Sequence, residues 1–191
     1  HSQNTRELEN IGNVQAGGTA VVIREELAGL PMTCGKDNTE LGMFCWYRTE
    51  ETNGVRTVFM SAYAPCKAAG VGTYYQHIER YIQSQQLKTN PKDLFRRHVV
   101  EAIKQWRSRG DRVILMIDAN ENVIDGVLSK RLAQDDIRMR EAVHRMVPGK
   151  RGPATHFRGN CQKNGAIDGP MVYGSQMILI LSSFWGKLPT V

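Results

Sequence analysis

Residues 91–120 constrain the fold most: a helix-patterned stretch runs into an apolar strand that stops at Asp-x-Asn. Phe95, Val99, Ile103 and Trp106 recur at steps of four, four and three, so a helix from about Pro91 to Ser108 turns one stripe to a core. Asn90-Pro91 breaks the preceding chain and starts this helix, and Gly110 stands where a C-cap glycine is expected. Val113-Ile114-Leu115-Met116-Ile117 then reads as a buried strand ending in Asp118-Ala119-Asn120. In a strand, residues i and i+2 point to the same face, so Asp118 and Asn120 would project into one pocket. A carboxylate can take a proton or hold a metal. A carboxamide can hydrogen-bond a phosphoryl oxygen or a water. The plainer alternative is that Asp118 caps the following turn.

The other elements follow from the same kind of pattern. Gly17-Gly18 opens a β-like run, Thr19 to Leu27, after a polar stretch at 1–16 that reads as a loop. Segments 42–49 and 56–63 are rich in aromatic and β-branched residues, and Asn53-Gly54 between them predicts an antiparallel hairpin with a two-residue turn. A helix is expected from about Tyr74 to Gln85, with Tyr74, Ile78, Tyr81 and Ile82 inward. After Asn120 come a loop and a short helical piece. A helix capped by Asp135 or Asp136 then runs to about Val147, with Met139, Val143, Met146 and Val147 inward. Short strands are expected around 154–158, 166–172 and 177–181. The order suggests one mixed α/β layered domain over 17–191 rather than a regular βαβ alternation.

A chain of 191 residues is long enough for one full core. No run of 18 apolar residues is present, so no membrane span is expected. The 13 residues at the start lack the apolar region of a signal peptide. The net charge of +6 fits a polyanion partner, although general solubility accounts for it slightly better. The cysteines at 34, 45, 66 and 161 have no zinc-site spacing; two disulfides are possible but nothing requires them, so a reducing compartment is expected, nuclear or cytoplasmic.

Three further patches sit at expected element ends. Ser-Ala-Tyr-Ala-Pro (61–65) puts Tyr63 at the end of a strand. Thr-His-Phe-Arg-Gly (155–159) offers His156 and Arg158 after a turn. Ala-Ile-Asp-Gly (166–169) puts Asp168 at the edge of a loop. Taken in order with Gly17-Gly18-Thr19 and Asp118-Ala119-Asn120, these motifs resemble the endonuclease/exonuclease/phosphatase superfamily, the DNase I-like fold. The resemblance is closest to retroelement-type endonuclease domains and runs from about Gly17 to Tyr173. It implies a four-layer sandwich of two mixed β-sheets flanked by helices, and phosphodiester hydrolysis with Mg²⁺ (or Mn²⁺), DNA being the expected partner. It implies that Asp118 activates the attacking water, Asn120 and Tyr63 bind the phosphate, and Asp168 orients a catalytic His. Arg158 is added as an accessory phosphate ligand and His156 as a stand-in for the missing histidine.

Two parts of the family pattern have no match. A metal-binding Glu is expected on a strand well before Gly17, and Glu7 and Glu9 do not fit that place. After Asp168 the chain holds no Asp, Glu or His, so the closing Asp-His pair is missing. The metal ligands are therefore unassigned. The chain is expected to be a fragment or truncated copy with reduced activity or none. The competing expectation is a catalytically dead copy that binds nucleic acid or protein through the same cleft.

Overall fold

The computed structural model describes His1 and residues 17–23, 29–30, 32–67, 72–123, 125–141 and 178–182. Phe44–Glu50 (β2) and Arg56–Tyr63 (β3) form the expected antiparallel hairpin, with Glu50 opposite Arg56. The turn itself differs from the expected one. A two-residue type I′ turn needs positive φ at both central residues. Here Gly54 has φ +77 but Asn53 does not, so the connection lengthens to 51–55. Gly54 N–H donates to Glu51 O at 2.8 Å and Glu51 N–H to Val55 O at 2.8 Å. The Asn53 side-chain oxygen accepts from Val55 N–H at 2.9 Å.

Arg112–Asp118 (β4) runs parallel to β3. Parallel neighbours need a crossover, and the helices Tyr74–Ser84 (α1) and Pro91–Ser108 (α2) supply it. Each begins on a side-chain cap. The Thr73 hydroxyl accepts from Gln76 N–H, and Asn90 Oδ1 accepts from Asp93 N–H at 3.0 Å, with Pro91 in the first helical turn. α2 ends in a Schellman arrangement: Gly110 (φ +79) donates to Arg107 O at 3.0 Å and Asp111 N–H to Trp106 O at 3.0 Å. The buried Asp111 then pairs with Arg56 at 2.7 Å and Arg48 at 3.6 Å, tying the start of β4 to the hairpin.

The inward stripe of α2 is the expected one. Phe95, Val99, Ile103 and Trp106 join Leu94, Ile78 and Ile82 in one core with Val58, Met60 and Ala62 of β3 and Val113, Leu115 and Ile117 of β4. Each large apolar side chain buried there contributes about 1.5–3 kcal/mol. On the opposite sheet face, Phe59, Ile114 and Met116 are half-buried.

The sheet has six strands in the order β1-β2-β3-β4-β6-β5. Its edges are where the sequence misled. Met32–Lys36 (β1) pairs antiparallel with β2. A strand was expected instead at Thr19–Leu27; residues 17–23 hold only an isolated bridge at Thr19, and 24–28 lie outside the described residues. β1 lacks apolar alternation and carries a glycine, which weakens a strand signal. That glycine is needed: a Cβ on Gly35 would lie 2.7 Å from the ring of Trp46, its cross-strand partner.

The short helix after Asn120 is Val127–Leu132 (α3), as expected. The helix expected from Asp135 or Asp136 to Val147 is overturned at its start, because Met139–Glu141 is a strand (β5). Arg138 at φ +56 breaks any helix there, and Met139 reaches the core from the strand instead. Residues 142–147 lie outside the described set. Ile178–Ser182 (β6), close to the expected 177–181, pairs antiparallel with both β4 and β5. The strands expected at 154–158 and 166–172 lie outside the described residues. The fold is thus α/β, a mixed sheet with α1, α2 and α3 contributing to one core; among the described residues there is one sheet. No helix among them is long and apolar enough to cross a membrane.

Candidate functional site at the tips of β3 and β4

In a parallel pair both carboxyl ends lie at the same edge of the sheet, a common place for ligand crevices in α/β folds. Here that edge brings Tyr63 directly opposite Asp118. Ala64 N–H donates to Asp118 O at 2.8 Å and extends the ladder by one step. Asn120 joins them by a route the strand geometry does not foresee. β4 ends at Asp118, and Asn120 takes the left-handed conformation (φ +46), which Asn tolerates better than most residues. The turn carries its side chain back over β3. Nδ2 donates to Ala64 O at 2.7 Å, which places the carboxamide beside Tyr63. Tyr63, Asp118 and Asn120 therefore meet, but by turn chemistry rather than by i, i+2 alternation.

Tyr63 is held from behind. Its ring stacks on Tyr74, the first residue of α1, with centroids 5.5 Å apart and planes at 30°. Gly17 packs on the Tyr74 ring so closely that a Cβ would lie 2.4 Å from it, which gives the Gly17-Gly18 pair a local role. Burial pushes the Tyr63 phenol up from its ordinary value, and the neighbouring charge of Asp118 and then Cys66 push the same way, against the hydrogen bond with Asn120. The phenol is therefore protonated at neutral pH, with an O–H to offer a ligand. Tyr74 is raised further, mainly by burial and then by Asp37 and Tyr63.

Four residues outside the sequence-derived set shape this edge. Lys92 Nζ donates to Asn120 O at 3.1 Å. Arg96 donates to Glu121 at 2.6 Å and to Asp93 at 2.9 Å, both side chains of the Arg96–Glu121 pair being largely buried. Glu121 also accepts from Leu128 N–H at 3.1 Å, at the start of α3. The loop after β4 is thereby tied to α2 on one side and α3 on the other. Lys92 and Arg96 are one turn apart on α2, a spacing the sequence displays, although nothing in it names the loop they reach. Asp37, fully buried, accepts from Thr39 N–H at 3.1 Å, from the Thr39 hydroxyl and from Met43 N–H at 2.9 Å. It shapes the β1–β2 connection, from which Met43 O accepts the Tyr63 N–H at 3.0 Å.

His156, Arg158 and Asp168 lie outside the described residues. Among the described residues no three His, Cys, Asp or Glu side chains gather to hold a metal ion. At the tip, Glu121 is committed to Arg96 and Leu128, which leaves Asp118 as one carboxylate where a hard divalent cation takes about six oxygen ligands. These residues alone do not make a magnesium site. No protein-family model matches the chain, and no curated protein matches it.

Proposed function

We propose that this chain is a phosphodiester hydrolase domain of the DNase I-like kind, acting on DNA at the carboxyl ends of β3 and β4. The observation that carries the reading is the meeting of Tyr63, Asp118 and Asn120, with the phenol protonated beside the carboxamide. In this reading Asp118 takes the proton of the attacking water, a role worth roughly 10²–10⁴ in rate. Asn120, fixed through Ala64 and Lys92, orients the phosphate. Tyr63 donates to the phosphate oxygen on which charge builds, a contribution of roughly 10²–10³ by analogy with oxyanion donors. A second sheet completing a four-layer sandwich belongs to the same proposal, as do Arg158 and His156 as phosphate ligands and Asp168 as the residue orienting a histidine. Mg²⁺ or Mn²⁺ is the cofactor proposed, with its ligands unassigned among the described residues.

The test is nicking of supercoiled plasmid with Mg²⁺ or Mn²⁺, beside an EDTA control and Asp118→Ala. Metal-dependent nicking that disappears in the variant supports the reading. A folded chain that nicks nothing sinks it. A second reading, resting on the sparse donor set among the described residues, is a copy of the fold that binds nucleic acid or protein without cutting it. That reading expects binding with no metal-dependent nicking.

A further inference from the structure

A groove of about 520 Å³ runs between the β1–β2 pair and one flank of α2. Its two walls run in the same direction, away from Tyr63 and Asp118. Lys92, in the first turn of α2, reaches Asn120 at the tip, and Arg109, just past the last turn, accepts on its carbonyl from Arg56 at the start of β3. β2 runs the same way because it is antiparallel to β3. Trp46 and Trp106 meet part-way along, ring centroids 5.4 Å apart, and close that stretch. Arg48 lies two residues past Trp46 on the same strand face, and Arg109 lies three residues past Trp106. Those steps are roughly 7 Å along a strand and roughly 5 Å along a helix. The two arginines, both lining the groove, therefore stand across from each other at its far end.

That end is built of donors and positive charge. Thr33, the cross-strand partner of Arg48, adds a hydroxyl, and Gln105, one turn before Arg109, adds a carboxamide. Among the described residues Glu101 is the acid in the lining, and it stands eight positions before Arg109, roughly 12 Å along the helix. Glu50, next on the face of Arg48, does not line the groove. The buried Asp111 is shared by Arg56 at 2.7 Å and Arg48 at 3.6 Å, so one carboxylate meets two guanidinium groups and a positive charge is left over. Arg109 is exposed and has no ion pair among the described residues. The last carbonyls of α2 would repel an anion, but they are taken. Trp106 O accepts from Asp111 N–H, Arg107 O from Gly110 N–H and Arg109 O from Arg56.

We infer that the Arg48–Arg109 end of this groove binds a phosphate group. A guanidinium presents its N–H donors in one fixed plane that matches phosphate oxygens. A phosphate carries up to two charges and three acceptor oxygens, enough for cations arriving from opposite walls, whereas a carboxylate carries one charge and two oxygens. Arg48 is steadied by Asp111 before any ligand arrives, which lowers the cost of ordering it. An uncharged ligand would cover the arginines and return nothing to them. The same chemistry is carried by a small phosphorylated molecule lying along the groove and by a nucleic-acid backbone crossing its end. The site is at the opposite end of the sheet from Tyr63 and Asp118, so it stands or falls separately from the hydrolase reading.

The experiment is calorimetric titration of the full chain with inorganic pyrophosphate, in EDTA so that no metal bridges the two. Arg109→Gln and Arg48→Gln are each expected to weaken binding about tenfold. Arg109→Gln breaks no ion pair and should melt as the unchanged chain does, so it decides the matter even if Arg48→Gln, which loosens Asp111, folds poorly. Lys130→Gln, which removes an exposed charge on α3, is expected to bind as the unchanged chain does. Absence of pyrophosphate binding overturns the inference, as does an unchanged affinity in Arg109→Gln or an equal loss in Lys130→Gln. Malonate bound as tightly as pyrophosphate overturns it in favour of a general anion surface. Competition with a thymidine strand of about ten nucleotides identifies the source of the phosphate. Displacement of pyrophosphate by the strand assigns it to a nucleic acid, and failure to displace assigns it to a small phosphorylated molecule; the phosphate site holds in both.

Discussion

Asn120 shows what a single residue contributes at the proposed site. Its backbone is left-handed and its side chain closes on Ala64 and Tyr63, so both its conformation and its chemistry are used. Asn120→Ala removes the hydrogen bonds and places a Cβ residue with no compensating contact in a left-handed turn, which should cost about 1–3 kcal/mol in urea unfolding. Asn120→Gly removes the same hydrogen bonds but relieves the backbone, so it should cost less than Ala. If the two variants are equally stable, the turn is not strained. Tyr63→Phe keeps the stack on Tyr74 and removes only the donor. In the hydrolase reading it should lower nicking by roughly 10²-fold while stability falls by only about 1 kcal/mol. At this scale the sequence named three residues that the structure brings together at the strand tips, because Asp-x-Asn and the strand-end Tyr are conspicuous. It did not name Lys92, Arg96, Glu121 or Asp37. Ordinary charged residues acquire a role only when the fold brings distant segments together, as Arg96 and Glu121 are brought across 25 positions.

Elements were legible where period and punctuation agreed. The helix 91–108 was readable to the residue because an Asn-Pro start, a clear stripe and a Gly stop coincide. β3 and β4 were readable for a similar reason. The edges were not: β1 contains a glycine and no apolar alternation, and β5 hides inside a helix-like spacing of Met139 and Val143 that the left-handed Arg138 interrupts. The Gly35–Trp46 contact makes the edge testable. Gly35→Ala forces a Cβ against an indole already packed on Trp106, and should destabilise by about 1–3 kcal/mol. Gly54→Ala has open space around its Cβ and carries only the cost of its positive φ, so it should be milder. Asp111→Asn probes the join between α2, β4 and the hairpin. It removes the charge that pairs with two arginines from a fully buried site. Because both arginines reach solvent in part, the loss should be about 2 kcal/mol rather than the full cost of an orphaned buried charge.

For the whole molecule, the histidines set a pH dependence that separate regions share. His77 sits buried on α1, where desolvation lowers its pKa below the ordinary 6.5, with Arg80 acting the same way and a hydrogen bond to the Gly72 backbone opposing. His98 on α2 is lowered as well, first by burial and then by Arg97, against the charges of Glu101 and Asp37. Between each folded-state value and about 6.5, the unfolded chain binds more protons than the folded one. Stability therefore rises with pH through that window, and it falls as the solution is acidified from neutral through 6.5, levelling once both states are protonated. Asp93 and Asp136 act lower on the scale. Each is held below the ordinary 3.8, by hydrogen bonds to Arg96 and Asn90 in one case and to Lys104 in the other. Their contribution is present above about 3.8 and is lost as pH falls through the folded-state values; it is small because both side chains face water. Melting temperature followed from pH 7.5 to about 5 should drop, and a chain carrying His77→Gln and His98→Gln should show a flatter profile whatever its absolute stability. A profile equally steep without the two imidazoles would place the acid sensitivity elsewhere, in groups that titrate between the histidine and carboxylate ranges.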